Sequence, residues 1–444
     1  MTDGFANGGV SFWWADIGRP EPRPALEGDL DCDVCIVGGG LTGLWTAYWL
    51  ATHDPSLDIV VLEAEFAGFG ASGRNGGWLS SEVPGDHDAN LVAAMERAVD
   101  EVIGICADEG VDADIVKGGV LHVARSPAQL VRMREQAPPS GHGAVELDAS
   151  ETAARVRVAG ALGSVFSPHA ARVQPARLVR GIADVVERRG VRILEDTKVS
   201  RIESGAATTP VGVVRARVVL RCLEGYTASI RGQRRSLLPM NSAIVITEPL
   251  PSDAWADIGW AGSEVLGDCA NAYCYAQRTA DGRIALGGRG IPYRFGSRTD
   301  VDGRTQDWTI ESLTRTMHAL FPATRDVRLE HAWCGVLGVP RDWSASVTFD
   351  RDTGLGAAGG YVGSGLTTTY LAGRTLADLV LDRDSELVGL PWVGHRVRRW
   401  EPEPFRWLGV RAMYGLYRAA DRREDAGLSR PSRLARLGDR LTGR

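Results

Sequence analysis

The sequence predicts a mixed α/β fold in which a parallel, helix-covered part is interrupted by an antiparallel sheet. Three observations support this prediction. Residues 33–63 read as strand, glycine turn, helix and strand, the order of a βαβ unit. Residues 211–292 contain short apolar runs separated by turn residues, which is typical of antiparallel strands. Residues 356–381 return to a glycine-rich strand followed by an amphipathic helix.

Length and composition describe a globular protein with two or three domains. The chain has 444 residues, of which 44% are hydrophobic and 24% charged, and its formal net charge of −6 argues against a general nucleic-acid-binding protein. No apolar run is long enough to span a bilayer, and the N-terminus lacks a signal-peptide pattern. We therefore expect a cytoplasmic protein without a transmembrane segment. The seven cysteines are scattered, so free thiols are expected and no metal site is predicted.

The βαβ unit comes first along the chain. Asp33-Val-Cys-Ile-Val37 is a short apolar run typical of a buried parallel strand. Residues 44–51 place apolar side chains on one helical face, and residues 58–63 form a second apolar strand. This order predicts that the intervening glycines form the turn between the first strand and the helix.

That turn has the G-x-G-x-x-G spacing. Gly38 permits a tight turn, Gly40 permits a pyrophosphate to approach the backbone, and Gly43 permits close packing of helix on strand. The free N–H groups at the helix N-terminus favour phosphate. Glu63 follows Gly43 by 20 residues, where an acid binds ribose hydroxyls. The sequence therefore predicts a dinucleotide site, which this motif alone does not divide between NAD and FAD.

A second glycine-rich segment, residues 68–77, follows closely. It combines many backbone N–H donors with little side-chain bulk, and it contains Ser72, Arg74 and Asn75. Such a loop suits close packing against an extended cofactor. The alternative interpretation is a flexible surface loop.

The remaining elements complete the α/β, β, α/β order. Helices are predicted over 91–110, 175–189 and 309–320. The turn signal Asp281-Gly282 predicts a hairpin between its flanking strands. Strands are predicted over 191–194, 199–202, 211–214, 218–220, 243–247, 272–276 and 284–286.

Several of these motifs together resemble the FAD-dependent oxidoreductases of the D-amino-acid-oxidase/glycine-oxidase family, with the γ-glutamylputrescine-oxidase-like subgroup nearest. The resemblance extends from about residue 12 to 415. Its motifs are Val37-Gly-Gly-Gly-Leu-Thr-Gly43, Leu62-Glu-Ala64, Gly70-Ala-Ser-Gly-Arg-Asn-Gly-Gly77, Val173-Gln-Pro-Ala-Arg-Leu178, Thr247-Glu-Pro249, Asp281-Gly-Arg-Ile-Ala-Leu-Gly-Gly-Arg289, Arg341-Asp-Trp343, Gly360-Tyr-Val-Gly-Ser-Gly365 and Leu371-Ala-Gly-Arg-Thr-Leu-Ala-Asp378.

The resemblance implies a Rossmann-like FAD-binding domain of the glutathione-reductase type, an inserted antiparallel-sheet substrate domain and C-terminal helices. The FAD-binding domain would comprise 28–90, 150–225 and 335–390. The substrate domain would comprise 91–149 and 226–334, and residues 391–444 would be a C-terminal helical segment. The implied cofactor is FAD, held without a covalent bond, or attached through Cys334 as the alternative.

The residues that would bind this FAD lie in six segments. They are Gly38, Gly40, Leu41, Thr42, Gly43, Glu63, Ala64, Gly70, Ala71, Ser72, Arg74, Asn75, Gly76, Gly77, Val199, Gly335, Gly363, Gly365, Leu366 and Thr367.

The candidates for the chemistry are Tyr273, Tyr275, Arg289, His331 and Trp333. Aromatic walls, a group for the far end of a substrate and a base are what amine oxidation requires of the protein. Each candidate also has a structural alternative. The tyrosines alternate on a strand and could be packing residues, Arg289 could serve a salt bridge, and His331 could be a satisfied core histidine.

The expected function is FAD-dependent oxidation of a C–N bond in a small amine or amino acid to an imine, with oxygen as electron acceptor. The alternatives are a dehydrogenase of the same fold that passes electrons to a quinone or carrier, a biosynthetic flavoenzyme with another reaction, and a non-enzymatic flavin-fold protein. The sequence departs from the family in Arg221-Cys-Leu-Glu-Gly225, Tyr275-Ala-Gln277 and Ala332-Trp-Cys-Gly335. These segments are expected near cofactor or substrate, so the departures bear on substrate choice.

The C-terminal segment is basic. Residues 396–444 contain 13 arginines and 6 acids in an otherwise acidic chain. Residues 404–423 read as an amphipathic helix whose apolar stripe comprises Phe405, Leu408, Ala412, Leu416 and Ala419. We expect this stripe to dock on the body of the protein. The alternative is peripheral contact with a membrane surface.

Overall fold

The computed structural model describes residues 4–83, 88–136, 143–288, 293–299 and 302–442. The helices in these ranges are α1 Phe12–Ile17, α2 Leu41–His53, α3 Ala89–Asp108, α4 Pro127–Gln136, α5 Ala149–Arg155, α6 Pro175–Arg188, α7 Ser252–Ile258, α8 Asp307–Leu320, α9 Gly365–Val380, α10 Phe405–Asp425 and α11 Arg433–Thr442. The strands are β1 Ala6–Asn7, β2 Leu30–Val37, β3 Ile59–Leu62, β4 Trp78–Ser80, β5 Val120–Ala124, β6 Val145–Asp148, β7 Gly163–Ser167, β8 Ala170–Arg172, β9 Arg192–Leu194, β10 Arg201–Glu203, β11 Ala206–Thr208, β12 Val213–Arg221, β13 Leu238–Thr247, β14 Val265–Asp268, β15 Cys274–Arg278, β16 Ile284–Gly288, β17 Leu329–Val339, β18 Ser346–Asp350 and β19 Leu355–Gly359.

The predicted βαβ unit is confirmed, and it lies in a sheet whose centre is parallel. Strand β2 pairs in parallel with β3 and β12, β3 with β9, and β12 with β19. Alternate residues of β2 enter two different cores. Val34 and Ile36 pack under helices α2, α6 and α9, whereas Cys35 and Val37 face the other side. Burial on both faces explains why this strand reads as a continuous apolar run.

The second sheet has nine strands and is mostly antiparallel. Its order is β1-β17-β13-β16-β15-β14-β5-β7-β6, and β13 pairs antiparallel with both β16 and β17. The hairpin predicted at Asp281-Gly282 is confirmed, because β15 pairs antiparallel with β16 and Gly282 has a φ of 77°. One strand departs from the predicted division. Strand β7, within the segment 150–225, pairs with β5 and β6 in this second sheet.

Helix α1 is a buried element to which the sequence analysis assigned no role. Phe12, Trp13 and Trp14 are all buried in the core that also contains α2 and α6. Ser11 caps the helix, with its Oγ accepting from the Trp14 N–H. Short length and the lack of a long periodic pattern hide such a helix from sequence reading.

The predicted docking face of the C-terminal helix is wrong. Helix α10 leaves Phe405 67% and Leu408 53% exposed. The inner residues are Arg406, Val410, Tyr417, Ala420 and Glu424. The buried charges are satisfied, since Arg406 donates to the Arg234 carbonyl at 3.1 Å and Glu424 accepts two hydrogen bonds from Arg132 at 2.6 Å. These interactions turn the apolar stripe outward.

Within the described residues, no helix has both the length and the hydropathy to cross a membrane.

The turn at Gly43 generates a stability prediction. A Cβ at Gly43 would lie 2.1 Å from the Gly38 carbonyl oxygen, a backbone atom that cannot rotate away. We therefore expect Gly43→Ala to lower the free energy of unfolding by about 3 kcal/mol. The matched control is Gly104→Ala on α3, where no atom lies within 4 Å of the added Cβ. The control should be neutral or stabilising by about 0.5–1 kcal/mol, because alanine favours helix over glycine. Urea unfolding of both variants measures the difference, and equal stabilities would contradict this account.

Candidate active site

A cavity of about 310 Å³ opens at the carboxyl ends of β2, β3 and β12. This edge of a parallel sheet is where ligands bind in open α/β folds. The predicted cofactor residues at its wall are Gly38, Gly40, Leu41, Thr42, Glu63, Ala64, Gly70, Ala71, Ser72, Arg74, Asn75, Gly76, Val199, Gly335, Gly363, Gly365 and Leu366. The structure therefore brings together residues spread over more than three hundred positions of the chain.

Three predicted cofactor residues lie away from the wall. Gly43 packs on the Gly38 carbonyl, as described above. Gly77 has a φ of 70°, and a Cβ there would lie 2.1 Å from Gln277 Nε2. Thr367 is buried on α9, and its Oγ1 has no hydrogen-bond partner among the described residues. Gly43 and Gly77 thus shape the backbone from behind the cavity.

The glycine turn is built by close backbone contacts. Gly38 has a φ of 115°, and a Cβ there would lie 2.4 Å from the Cys222 carbonyl oxygen. At Gly40 a Cβ would project to within 3.0 Å of Ser72 Oγ. That hydroxyl accepts the Leu41 N–H at 2.9 Å. The N-terminus of α2 therefore faces the cavity through a backbone without side chains, as phosphate binding requires.

Glu63 is held at the end of β3 by backbone donors. Its Oε2 accepts the Gly39 N–H at 2.8 Å, and its Oε1 accepts the Glu65 N–H at 3.1 Å. Burial raises the pKa of Glu63 to about 7, against the lowering effect of these hydrogen bonds. The Thr197 N–H donates to the Glu63 carbonyl at 2.7 Å, and this contact brings Val199 to the same part of the wall.

The glycine loop 68–77 is fastened by helix α1 and by strand β17. Trp13 Nε1 donates to the Asn75 carbonyl at 2.8 Å, and Ser11 Oγ donates to the Gly73 carbonyl at 2.8 Å. From β17, Trp333 Nε1 donates to the Arg74 carbonyl at 2.8 Å. These anchors contradict the alternative of a flexible surface loop, since the loop's carbonyls are bonded to buried side chains.

Arg74 is buried inside this loop. Its Nε donates to the Phe69 carbonyl at 2.6 Å, and its guanidinium lies 4.3 Å from the centre of the Phe69 ring. The arginine thus closes the loop on itself while lining the cavity.

The segment after β12 contributes wall residues that the sequence analysis treated only as a departure from the family. Glu224 accepts the Tyr361 N–H at 3.0 Å, and burial raises the pKa of its carboxyl to about 7. The neighbouring Tyr226 lines the cavity, and its buried hydroxyl has no hydrogen-bond partner within the described part of the chain. The signal was available, because this segment follows a parallel strand at the same sheet edge as Gly38 and Glu63.

The end of the cavity near α9 adds the second helix N-terminus. Gly363, with a φ of 114°, and Gly365 lie at the wall where α9 begins. Tyr361, just before them, shares a hydrogen bond with Thr42 of α2 at 3.1 Å between oxygens. Both helices therefore direct their positive ends toward one cavity.

Tyr273 and Tyr275 line the cavity from the antiparallel sheet. The Tyr275 hydroxyl is 2.9 Å from Ser242 Oγ, and its ring lies against Gly76, where a Cβ would come within 2.6 Å. A Cβ at Gly363 would come within 3.5 Å of the Tyr273 hydroxyl. The two tyrosines thus join the antiparallel sheet to the glycine segments.

Two of the other predicted catalytic residues, His331 and Trp333, are not at the wall. His331 Nε2 lies 2.7 Å from the Gly8 carbonyl oxygen, the ring packs edge-on to Phe12, and burial lowers its pKa. Trp333 is fully buried and contacts the site only through Arg74. Arg289 lies outside the described residues. The geometry therefore gives no support to His331 as a base and indicates a positioning role for Trp333.

Cys334 also points away from the cavity. It is 2% exposed, belongs to the core of the nine-stranded sheet and places its Sγ 3.5 Å from the Arg304 carbonyl. The geometry therefore offers no route for a covalent bond from this thiol to a group in the cavity.

A cavity at the carboxyl ends of parallel strands, covered by an antiparallel sheet, is typical of two-domain redox enzymes that bind a dinucleotide. Comparison with known proteins narrows this class. The family model for FAD dependent oxidoreductases (DAO) matches residues 33–379. The chain is 30% identical to γ-glutamylputrescine oxidoreductase of Escherichia coli K12, over 91% of this chain and 97% of that protein. It is 24% identical to sarcosine oxidase subunit beta of Rhizobium meliloti, over 83% of this chain and 87% of that protein.

Among solved structures, glycine oxidase from Geobacillus kaustophilus superposes with a TM-score of 0.72 at 21% identity, covering 83% of this chain and 99% of that one. The chain therefore belongs to the DAO family of FAD-dependent oxidoreductases, and the predicted fold class, enzyme class and cofactor are confirmed. The site fits FAD on its own geometry as well. The unpartnered Tyr226 hydroxyl and the side-chain-free Gly40 backbone offer contacts that an extended dinucleotide would complete.

Replacement of Glu63 by glutamine should change the stability of the apoprotein and the affinity for FAD in opposite directions. Folding raises its pKa from 4.5 to about 7, so the folded apoprotein keeps a proton that the unfolded chain releases. The free energy of unfolding therefore falls as the pH rises from about 4.5 to 7, and Glu63→Gln should remove up to about 3 kcal/mol of that fall. FAD affinity should instead drop about 10–100-fold, because the amide NH2 cannot accept a ribose hydroxyl.

Urea unfolding of the apoprotein at several pH values and FAD titration measure the two effects. The control, Glu203→Gln on the exposed strand β10, should change neither. A Glu63→Gln variant that binds FAD as tightly as the wild type would contradict the assignment of this carboxylate to the ribose.

Proposed function

We propose that this protein oxidises a C–N bond of a small amine or amino acid to an imine, with hydride transfer to the flavin and oxygen as electron acceptor. One observation supports the proposal most. The cavity that is lined by the glycine turn is also lined by Tyr273 and Tyr275 on the side of the antiparallel sheet. A substrate held on that side would therefore lie against the cofactor. The similarity to γ-glutamylputrescine oxidoreductase over nearly the whole chain favours an amine substrate.

The bound flavin supplies the hydride acceptor, and the chain's own residues position the donor carbon and exclude water. Trp78, Tyr273 and Tyr275 provide an aromatic wall for the carbon chain of the substrate. The Trp78 and Tyr275 rings meet edge to face, with their centres 6.1 Å apart, so neither ring moves without the other. The Ser242–Tyr275 hydrogen bond further orients the tyrosine.

The placement of the lysines bears on the electron acceptor. The chain has only two lysines. Lys117 pairs with Asp100 at 2.5 Å on the surface, and Lys198 lines the cavity beside Val199, near Glu63. Neither lysine lies beside the aromatic wall, where a cation would assist the reaction of oxygen next to the substrate. A dehydrogenase that passes electrons to a quinone or carrier is therefore the second candidate.

The absorption spectrum of the bound flavin tests the reaction. Under anaerobic conditions we expect the flavin band near 450 nm, a property of oxidised flavin in general, to bleach with a member of a panel of polyamines, N-methyl amines and amino acids. Readmitted air should restore the band within the time of turnover if oxygen is the acceptor, and only slowly if another acceptor is used. Bleaching by 2-hydroxy acids alone, with every amine inert, would overturn C–N oxidation.

A specific surface favours the second candidate for the acceptor. The exposed Phe405 and Leu408 on α10 lie beside Trp407, whose ring meets the exposed Phe295 with centres 6.2 Å apart. On the same helix Arg411 is exposed. We call Phe295, Phe405 and Leu408 the apolar patch.

Charge is sorted across this helix. Of its three acidic residues, Asp421 and Glu424 bond inward to Asn271 and Arg132 and Asp425 is exposed, whereas Arg411, Arg418 and Arg422 are all exposed. An outward face that combines apolar and arginine side chains is complementary to an anionic lipid surface. We propose that the apolar patch contacts such a membrane, where a quinone would be accessible.

Vesicle sedimentation tests this contact. The flavin-loaded protein should pellet with vesicles containing about one third phosphatidylglycerol and stay in solution with pure phosphatidylcholine. The double variant Phe405→Ser/Leu408→Ser should lose at least tenfold in vesicle affinity. The control Val211→Ser removes a residue that is 58% exposed in the connection between β11 and β12, away from the apolar patch, and should bind like the wild type. Absence of lipid binding, combined with a wild-type dimer that the double variant dissociates, would instead assign the patch to self-association.

A further inference from the structure

A pair of side chains, Glu82 and His122, lies next to the aromatic wall. Neither the family motifs nor the proposed reaction assigns a role to this pair. Glu82 lines the cavity two residues beyond β4, and its Oε1 is hydrogen-bonded to Nε2 of His122 on β5. The two side chains are 40% and 32% exposed. Because Glu82 lies on the cavity wall, its carboxylate is accessible to a ligand in the cavity.

The pair is continuous with the aromatic wall. The Trp78 ring meets the His122 ring with centres 6.2 Å apart and the Tyr275 ring with centres 6.1 Å apart. Trp78 is itself fastened, since its Nε1 donates to the Ala276 carbonyl at 3.2 Å. Carboxylate and aromatic faces are thus held side by side, and both attract an ammonium ion.

Charged neighbours act on both members of the pair. Burial lowers the pKa of His122 and raises that of Glu82, but the contact between the two side chains outweighs burial, so the pKa of the histidine is raised and that of the acid is lowered. Asp268 of β14 lies next to His122, and burial raises its pKa to about 6. The other titratable groups facing the pair are the Cys269 thiol, which burial keeps protonated, and Arg132, whose guanidinium is engaged by Glu424.

We propose that Glu82 binds the ammonium group of the substrate and that His122 is a positioning residue that holds this carboxylate ionised and oriented. This inference rests on the proposed amine chemistry and adds a substrate class to it. The favoured substrates are amines that bind as ammonium ions and carry no carboxylate beside the nitrogen, because a carboxylate there would face Glu82. The bound ammonium must give up a proton, for which the Glu82 carboxylate is the adjacent acceptor, before hydride leaves the neighbouring carbon, because only the neutral nitrogen has the lone pair that forms the imine. Amino acids with a free α-carboxylate beside the nitrogen should be poorer ligands.

The test is binding rather than turnover, with the visible spectrum of bound FAD as the reporter. Anaerobic titration of the holoenzyme with n-butylammonium should perturb the flavin spectrum saturably, whereas butyrate should not. Glu82→Gln, which keeps the shape and removes the charge, should weaken n-butylammonium about 10–100-fold. Glu82→Asp should recover part of that loss. If this amine also reduces the flavin, its affinity is obtained from the dependence of the reduction rate on the amine concentration.

Glu146→Gln is the matched control. Glu146 is 48% exposed, lies on β6 of the same sheet and pairs with Arg134, so it shares the exposure and ion-pairing of Glu82 without reaching the cavity. This variant should bind n-butylammonium like the wild type. Equal FAD content and equal melting temperature in all variants show that any loss is local.

The pH profile separates positioning from mere packing by His122. In His122→Gln, the carboxylate loses its cationic partner while its burial remains, so its pKa rises. As the pH falls, the affinity for n-butylammonium should therefore begin to decline at a pH at least one unit higher than in the wild type. Asp268 is present in both proteins, so its titration does not account for the difference. An unshifted profile would remove the positioning role, and unchanged affinity in Glu82→Gln would overturn the proposal.

These outcomes are independent of the reaction. If amines bleach the flavin while Glu82→Gln binds normally, the ammonium site is elsewhere and the proposed function stands. If n-butylammonium binds through Glu82 while no amine is oxidised, the ammonium site stands and the proposed reaction fails.

Discussion

The contact between Gly43 and the Gly38 carbonyl is the constraint on which the site depends. It holds the start of α2 against the end of β2, and Gly38 in turn lies against the backbone after β12. Three chain segments therefore converge at one sheet edge with almost no side-chain volume. That arrangement leaves room for a dinucleotide and points helix N–H groups into it.

The second sheet completes the cavity through side chains rather than backbone. Trp333 of β17 and Trp13 of α1 hold carbonyls of the glycine loop, and Tyr275 packs on Gly76. Groups from α1 and β17 satisfy polar atoms of the loop, and each group left unpaired in a buried place would cost about 1–3 kcal/mol. Residues of the antiparallel sheet are thereby placed against the backbone of the glycine loop.

The motifs whose structure depends on residues close together in the sequence could be predicted. The βαβ unit, the glycine turn, Glu63 and the hairpin at Gly282 each follow from short-range spacing, and the structure places them as expected. For His331 the sequence left a base and a satisfied core histidine as alternatives, and for α10 it predicted the wrong docking face, because residue type and periodicity state what a side chain could do and not which neighbour it contacts. The Gly8 carbonyl occupies His331, and the buried pair Arg132–Glu424 decides which face of α10 turns inward.

The sequence by itself therefore determined the family, the cofactor and the two-part architecture, since these depend on glycine positions and strand patterns that few other folds share. Only the tertiary structure decided the composition of the rest of the cavity wall. Glu82 and Glu224 stand far apart in the chain and belong to no motif, yet both line one cavity, and His122 is hydrogen-bonded to Glu82 there. Their pKa values depend on that burial and on those neighbours, which no local pattern encodes.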